Sequence, residues 1–247
     1  MAVRVPHPPV LGVLDWGIGG LFALREVRAR QPSANLIYLS DAGSVPYGRQ
    51  SRAELQRSVA RALSFLRLRG ATHVLVACHS ASSVLPLLDM PHTTGVIAPQ
   101  HVPMGGRIGV VGGARTVRSQ VWRRALSHPH NSVRQRIAQP WSAAVEAGRL
   151  DTLHTRALVR QVLAPLRGVD TLVLACTHYI ALAPLIAEEA HGARIIDPAL
   201  ACAAALAVPA GHGRLEALTT GRPDAVNAVV ERVFPELPLR FGAVTLP

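Results

Sequence analysis

The sequence predicts an α/β protein made of two similar α/β domains with mainly parallel sheets, and three observations predict it. Short apolar runs alternate with longer segments of helical period, the pattern of βαβ units. Two stretches nearly repeat one another, "VLVACHSAS" at 74–82 and "LVLACTHYI" at 172–180, each an apolar run that ends in a cysteine followed by polar residues. Each half also opens on a glycine-bearing strand exit, "LGVLDWGIGG" at 11–20 and "RIGVVGGARTVRS" at 107–119.

In chain order, strands are expected near 10–15, 36–41, 73–78, 107–111, 170–176 and 193–197, with helices filling most of the gaps. A turn-rich "SVPYG" precedes a helix that starts at Ser51, where "SRAE" is a capping box. The serine accepts from early backbone N–H groups and Glu54 reaches back. Around 91–105 the chain is dense in proline and glycine, which marks a domain boundary. Residues 1–95 with 208–247 are assigned to the first domain and 96–207 to the second. The alanine-rich "DPALACAAALAVPAG" is short, carries Asp197 and is punctuated by proline, so it reads as a buried helix, with Cys202 as a small buried hydrophobe.

Composition narrows the function classes. The 247 residues are 49% hydrophobic, ample for a core. The formal charge is +11, and all 26 basic residues are arginine, scattered through helix-like segments. With aromatic content at 4%, stacking platforms for nucleic acid are not expected. Three cysteines, none in a Cys-x-x-Cys pair, make no disulfide framework and suit a reducing cytoplasm. The opening "MAVRVPHPPV" has no signal-peptide core, and no run of eighteen apolar residues suggests a membrane span.

The repeat carries the chemistry. In open α/β sheets ligands bind at the carboxyl ends of strands. Cys78 and Cys176 both stand there, so two facing domains would put one thiol on each lip of a shared cleft. Inverting a carbon centre through a planar carbanion needs a base on one face and an acid on the other. A thiolate and a thiol can exchange those roles, provided that helix N-termini or polar neighbours stabilise the thiolate. His178 is placed to polarise or exchange a proton. Asp15 either caps a helix beginning near Ile18 or joins the site. Tyr47 either packs in its turn or meets the ligand. "GIGGLF" at 17–22 puts Phe22 where a dinucleotide fingerprint needs its third glycine, which disfavours that class.

Taken together, "GVLDWGIGGLFALREV", "LIYLSDAGSVPYGRQS", "VLVACHSAS", "RIGVVGGARTVRS", "LVLACTHYIALAPLI", "IIDPA" and "TTGRPDAV" resemble, in the same order, the glutamate racemases of the cofactor-independent aspartate/glutamate racemase superfamily. The resemblance spans nearly the whole chain, and Cys176-Thr177-His178-Tyr179 is its most specific part. It implies two domains related by a pseudo-twofold axis, an active site in the interdomain cleft, Cys78 and Cys176 as the two bases, and no cofactor or metal. Asp15 and His178 would assist the cysteines. Tyr47 and Gly48, following Pro46, would hold the substrate side-chain carboxylate, while Trp16, His79, Ser80 and Thr177 would line the rest of the substrate site.

Two positions depart from the family pattern: Asp15-Trp16-Gly17 replaces Asp-Ser-Gly, and Cys78-His79-Ser80 replaces Cys-Asn-Thr. Trp16 removes a hydroxyl and adds bulk, and His79 replaces an amide with an imidazole, so weakened handling of glutamate is expected. Three classes follow. The first is an amino-acid racemase supplying D-glutamate for the bacterial cell wall. The second is an isomerase or decarboxylase of a related dicarboxylate, and the third a catalytically silent homologue that binds or regulates. The expected partner is a small acidic substrate; no nucleic acid or membrane partner is expected, and a homodimer is the expectation for assembly.

Overall fold

The computed structural model describes residues 9–247. The first eight, assigned above to the first domain and read as lacking a signal-peptide core, lie outside the described residues. Ten strands form two sheets, in which every pairing among the described residues is parallel. They are β1 (Val10–Asp15), β2 (Asn35–Ser40), β3 (His73–Val76), β4 (Thr93–Gly95), β5 (Gly106–Gly112), β6 (Asn131–Ile137), β7 (Thr171–Ala175), β8 (Arg194–Ile196), β9 (Leu215–Thr219) and β10 (Gly242–Ala243).

The first sheet runs β10-β9-β2-β1-β3-β4 and the second β6-β5-β7-β8. The core orders β2-β1-β3-β4 and β6-β5-β7-β8 are the same arrangement, so the repeat seen in the sequence is a repeat of topology. Cys78 follows β3 and Cys176 follows β7, the strands beside the central β1 and β5. Strand order reverses at those central strands, which is where open parallel sheets gather ligands.

Both faces of each sheet are covered, and this explains why the strands read as unbroken apolar runs. In the first sheet Leu11, Val13, Leu36, Tyr38 and Leu75 face one core cluster. Leu14, Ile37, Leu39, Val74 and Val76 face the other, with Leu55, Val59, Leu63 and Leu66 of helix Arg52–Leu68. The period of two sorts alternate residues to opposite faces. In the second sheet Val111, Leu172 and Leu174 pack on one side, and Ile108, Val110, Val173 and Trp122 on the other. The capping box forms as expected: Glu54 N–H donates to Ser51 Oγ (3.3 Å) and Ser51 N–H to Glu54 Oε2 (2.8 Å).

Four strands differ from expectation by being absent from it. β6, "NSVRQRI", lies at a sheet edge with alternate residues exposed, so it lacks the apolar run that betrays a two-sided strand. β4, β9 and β10 are at or next to the edges of the first sheet, and two of them are only two or three residues long. The helix Pro198–Ala205 also departs from the expected boundary at 207. Its Ala199, Cys202 and Ala203 pack with Leu21, Leu24 and Val27 in the core of the first sheet. An uncharged face of small side chains seats closely on another helix, so these residues go with the first lobe. Cys202 is buried, as expected, and burial raises its thiol to about 11. No helix among the described residues is long and apolar enough to cross a membrane.

Leu63 is fully buried beneath the first sheet. Leu63→Ala should lower unfolding stability by about 3 kcal/mol, because neighbours packed on a rigid sheet cannot close the cavity. Urea denaturation would measure this as a lower midpoint at unchanged slope.

Candidate active site

The carboxyl ends of β1, β3, β5 and β7 border a cavity of ≈ 270 Å³ between the lobes. Asp15, Trp16, Pro46, Tyr47, Gly48, Cys78, His79, Ser80, Cys176, Thr177 and His178 all line it. Topology explains the convergence: the two thiols leave corresponding strands of two similar sheets. The second lobe adds Thr116, Gln139, Ser142 and Glu146, and Arg49 stands with the first-lobe loop.

Asp15 is 1% exposed and fully employed. Its Oδ1 accepts from Trp16 N–H at 2.8 Å, and its Oδ2 accepts from Gly20 N–H at 2.6 Å and from the Thr177 hydroxyl at 3.2 Å. Gly20 is the residue before helix Leu21–Arg30, so Asp15 both ties down the helix entry and belongs to the cavity wall. The Thr177 contact crosses between lobes. The glycines of "GIGG" serve the same approach: a Cβ on Gly19 would stand 2.5 Å from Thr177 Oγ1, and one on Gly17 2.7 Å from Glu146 Oε1. These are packing glycines of an interlobe seam. That accounts for a glycine-rich exit without any phosphate to bind.

The second-lobe thiol sits in a chain of polar groups. Cys176 Sγ lies 3.7 Å from His178 Nδ1 and 3.5 Å from Ser142 Oγ. His178 Nε2 lies 2.6 Å from Glu146 Oε1. Burial works against a charged ring at His178, but hydrogen bonds to Cys176 and Glu146 outweigh it and hold the imidazolium form well above the ordinary histidine range. The His178 ring thus stands between the Glu146 carboxylate and the Cys176 sulfur.

The first-lobe thiol has the opposite surroundings. Burial, then the Asp15 carboxylate, push Cys78 well above the ordinary cysteine range, with the Ala81 N–H a smaller opposing effect. Cys78 precedes the short helix His79–Ser82, which is how that N–H comes to face it. The cavity therefore pairs a protonated Cys78 with a Cys176 whose neighbour is cationic.

Several side chains expected to meet a ligand have their polar groups occupied by the protein. The Trp16 ring lines the cavity, as its bulk predicts, while its indole N–H donates to the Ser44 carbonyl at 3.1 Å. The Tyr47 hydroxyl donates to Asp41 Oδ2 at 2.8 Å and is 1% exposed. The Thr177 hydroxyl is spent on Asp15. What the Pro46-Tyr47-Gly48 turn leaves open is main chain: Arg49 N–H closes the turn on Pro46 O at 2.7 Å, and the N–H groups of Tyr47 and Gly48 have no partner among the described residues. Ser80 Oγ meets Thr116 Oγ1 across the seam at 3.3 Å.

His79 does not behave as a titrating ring. Burial lowers it to about 3, so it is neutral. Its Nδ1 accepts from Trp122 Nε1–H at 3.3 Å, a third contact between lobes, which assigns the proton to Nε2. That Nε2 is buried without a protein partner.

Glu146, Ser142 and Gln139 belong to no motif that the sequence marks as a site. They occupy positions i, i+3 and i+7 of one helix, Gln139–Glu146, whose Trp141, Ala144 and Val145 are buried. A polar stripe on an otherwise apolar helix was the available signal. Only the fold shows that this stripe faces a thiol.

The Asp/Glu/hydantoin racemase family model matches residues 23–206. The chain belongs to that family. A glutamate racemase of Gloeobacter violaceus is 38% identical, with 96% of this chain and 91% of the relative covered. One from Neisseria meningitidis serogroup C is 32% identical, covering 95% and 90%. Among solved structures, a glutamate racemase isoform from Bacillus anthracis superposes with a TM-score of 0.87 at 29% identity, covering 97% of this chain and 98% of that one. The Thermus thermophilus glutamate racemase, solved with β-chloro-D-alanine, gives 0.83 at 28%, covering 98% of each. This family member is an isomerase of the glutamate racemase type, and both lobes of its fold are those of the family.

Replacing Glu146 with Gln removes the carboxylate that supports the His178 cation. Glu146→Gln should lower the pKa of His178, read by NMR titration of its ring. The wild-type contribution of this pair to stability should be complete below pH about 6.5, where the unfolded ring is also charged, and be lost as the pH rises through the raised folded value. The variant should show a smaller change over that window.

Proposed function

We propose that this chain is a cofactor-independent glutamate racemase in which Cys78 and Cys176 are the two bases. The observation that carries the reading is the pair of thiols at equivalent strand ends of one cavity, held in opposite electrostatic surroundings. Cys176, beside the His178 imidazolium, takes the Cα proton as thiolate. The electron pair left on Cα is delocalised into the α-carboxylate, and the Cys78 thiol delivers its proton to the opposite face. Cys176 is then a thiol and Cys78 a thiolate, which is the state needed to run the reaction from the other enantiomer. Asp15 and the Ala81 N–H oppose one another at Cys78 and so keep both of its forms within reach.

Glutamate fits the polar inventory. The free N–H groups of Tyr47 and Gly48 provide a two-pronged donor site for its side-chain carboxylate, the role that the family resemblance assigns to this turn. The His79 Nε2–H supplies a neutral donor where relatives of this pattern carry an amide. The Trp16 ring provides an apolar wall for the methylenes. A reducing cytoplasm suits the free thiols, and supply of D-glutamate for peptidoglycan is the physiological role that the reading carries with it.

Incubation with L- or D-glutamate in deuterium oxide should give deuterium at Cα and interconversion of the enantiomers, read by NMR and polarimetry. Cys78→Ala and Cys176→Ala should each lower racemisation by at least about a hundredfold. Each variant should still eliminate a leaving group from a β-substituted glutamate of one configuration, since elimination needs a single proton abstraction. Full racemase activity in either variant, or no Cα exchange in the wild type, refutes the two-thiol assignment.

A further inference from the structure

We propose that Gln139 is a specificity-determining residue of the active cavity: its side-chain NH2 donates to the end of the substrate side chain and makes that end of the site select a carboxylate over a carboxamide. This role rests on the reading of the cavity as a glutamate site.

Gln139 opens the helix Gln139–Glu146 and lines the cavity from the second lobe. Its Oε1 accepts from the Ala114 N–H at 3.0 Å. Only the oxygen of an amide can meet a backbone N–H, so this contact fixes which way the side chain is turned. The Nε2 end has no hydrogen-bond partner among the described residues, and Gln139 is exposed, so a ligand can reach it.

The amide stands beside the Pro46-Tyr47-Gly48 turn of the other lobe. A Cβ on Gly48 would lie 3.4 Å from Gln139 Oε1 and 3.9 Å from its Nε2, and one on Gly113 would lie 3.2 Å from Oε1. These two glycines, one from each lobe, leave the amide its room. Gln139 therefore shares its surroundings with the free N–H groups of Tyr47 and Gly48. The acceptor on the same helix is kept apart from them. Glu146 stands two turns further on, where it meets His178 and would lie 2.7 Å from a Cβ on Gly17.

A glutamine that only capped a neighbouring helix would need no second partner. What gives this one a further role is the single sign of the groups gathered at the turn: two main-chain N–H groups and one amide NH2, all donors. A carboxylate accepts at both oxygens and can satisfy all three. A carboxamide brings its own NH2 against a donor and leaves groups of the site unpaired, which costs more than the lost bond alone. Preference for glutamate over glutamine thus comes from both lobes, and the share of the second lobe belongs to Gln139.

Glutamate and glutamine are titrated calorimetrically into the full chain, and Cα exchange of each is followed by NMR in deuterium oxide. The wild type should favour glutamate by at least about a hundredfold. Gln139→Glu keeps an oxygen for the Ala114 N–H but replaces the donor with an acceptor. The preference should shrink at least about tenfold, with glutamine bound more tightly than by the wild type. Gln139→Met, similar in length and without a donor, should weaken glutamate about tenfold and glutamine less, and this arm stands if the first variant fails to fold. An unchanged preference in both variants, or equal weakening of both ligands, overturns the proposal, because loss of a helix cap would weaken the two alike. Intact racemisation of glutamate with that result removes this inference alone. The predicted change of binding preference without any Cα exchange in the wild type removes the functional reading alone, and failure of the wild type to bind either ligand overturns both.

Discussion

The buried carboxylate of Asp15 is the point on which the arrangement turns. It terminates the central strand of the first sheet, fixes the glycine turn through Trp16 and Gly20, receives the hydroxyl of Thr177 from the opposite lobe, and raises the thiol of Cys78. A carboxylate removed from water needs several donors, and here those donors come from both lobes. Satisfying one buried charge therefore brings the two sheets into register at their carboxyl ends. Ser80 with Thr116 and His79 with Trp122 repeat the crossing further along the seam.

The internal duplication would by itself yield two equivalent thiols. The structure makes them unequal through residues outside the repeat. Asp15 comes from a first-lobe strand whose counterpart, β5, ends in Gly112 followed by Gly113. Glu146 comes from a second-lobe helix and reaches His178, while the matching position after Cys78 is held by Ser80. A carboxylate stands beside one thiol and an imidazolium beside the other, so the two thiols of the cavity have opposite electrostatic neighbours.

The charge distribution follows a different logic from the site. Most carboxylates are spent in surface pairs with arginine, each of which contributes little to stability. A chain with 26 arginines and 15 acidic residues cannot pair them all, and described arginines of both lobes are left without a carboxylate partner.

Much of this was legible in the sequence because it depends on local chemistry. Apolar runs buried on two faces announce β1, β2, β3, β5 and β7, and the capping box announces its helix. The two Cys-polar-polar strand ends announce both lips of the cleft. The edge strand β6 was not legible, since exposure on alternate positions leaves it a polar composition. Glu146 was not, because nothing within its own helix tells which wall the polar stripe faces. The hydroxyls of Tyr47 and Thr177 and the indole of Trp16 were legible as site residues, but not as groups already bonded to Asp41, Asp15 and Ser44. The sequence by itself determined which residues stand at strand ends and what chemistry they can perform. Which lone pairs and protons remain free for a ligand was settled by tertiary packing, because the partners lie anywhere from six residues away, for Tyr47 and Asp41, to 162, for Thr177 and Asp15, and are chosen only when the loops and lobes pack on one another.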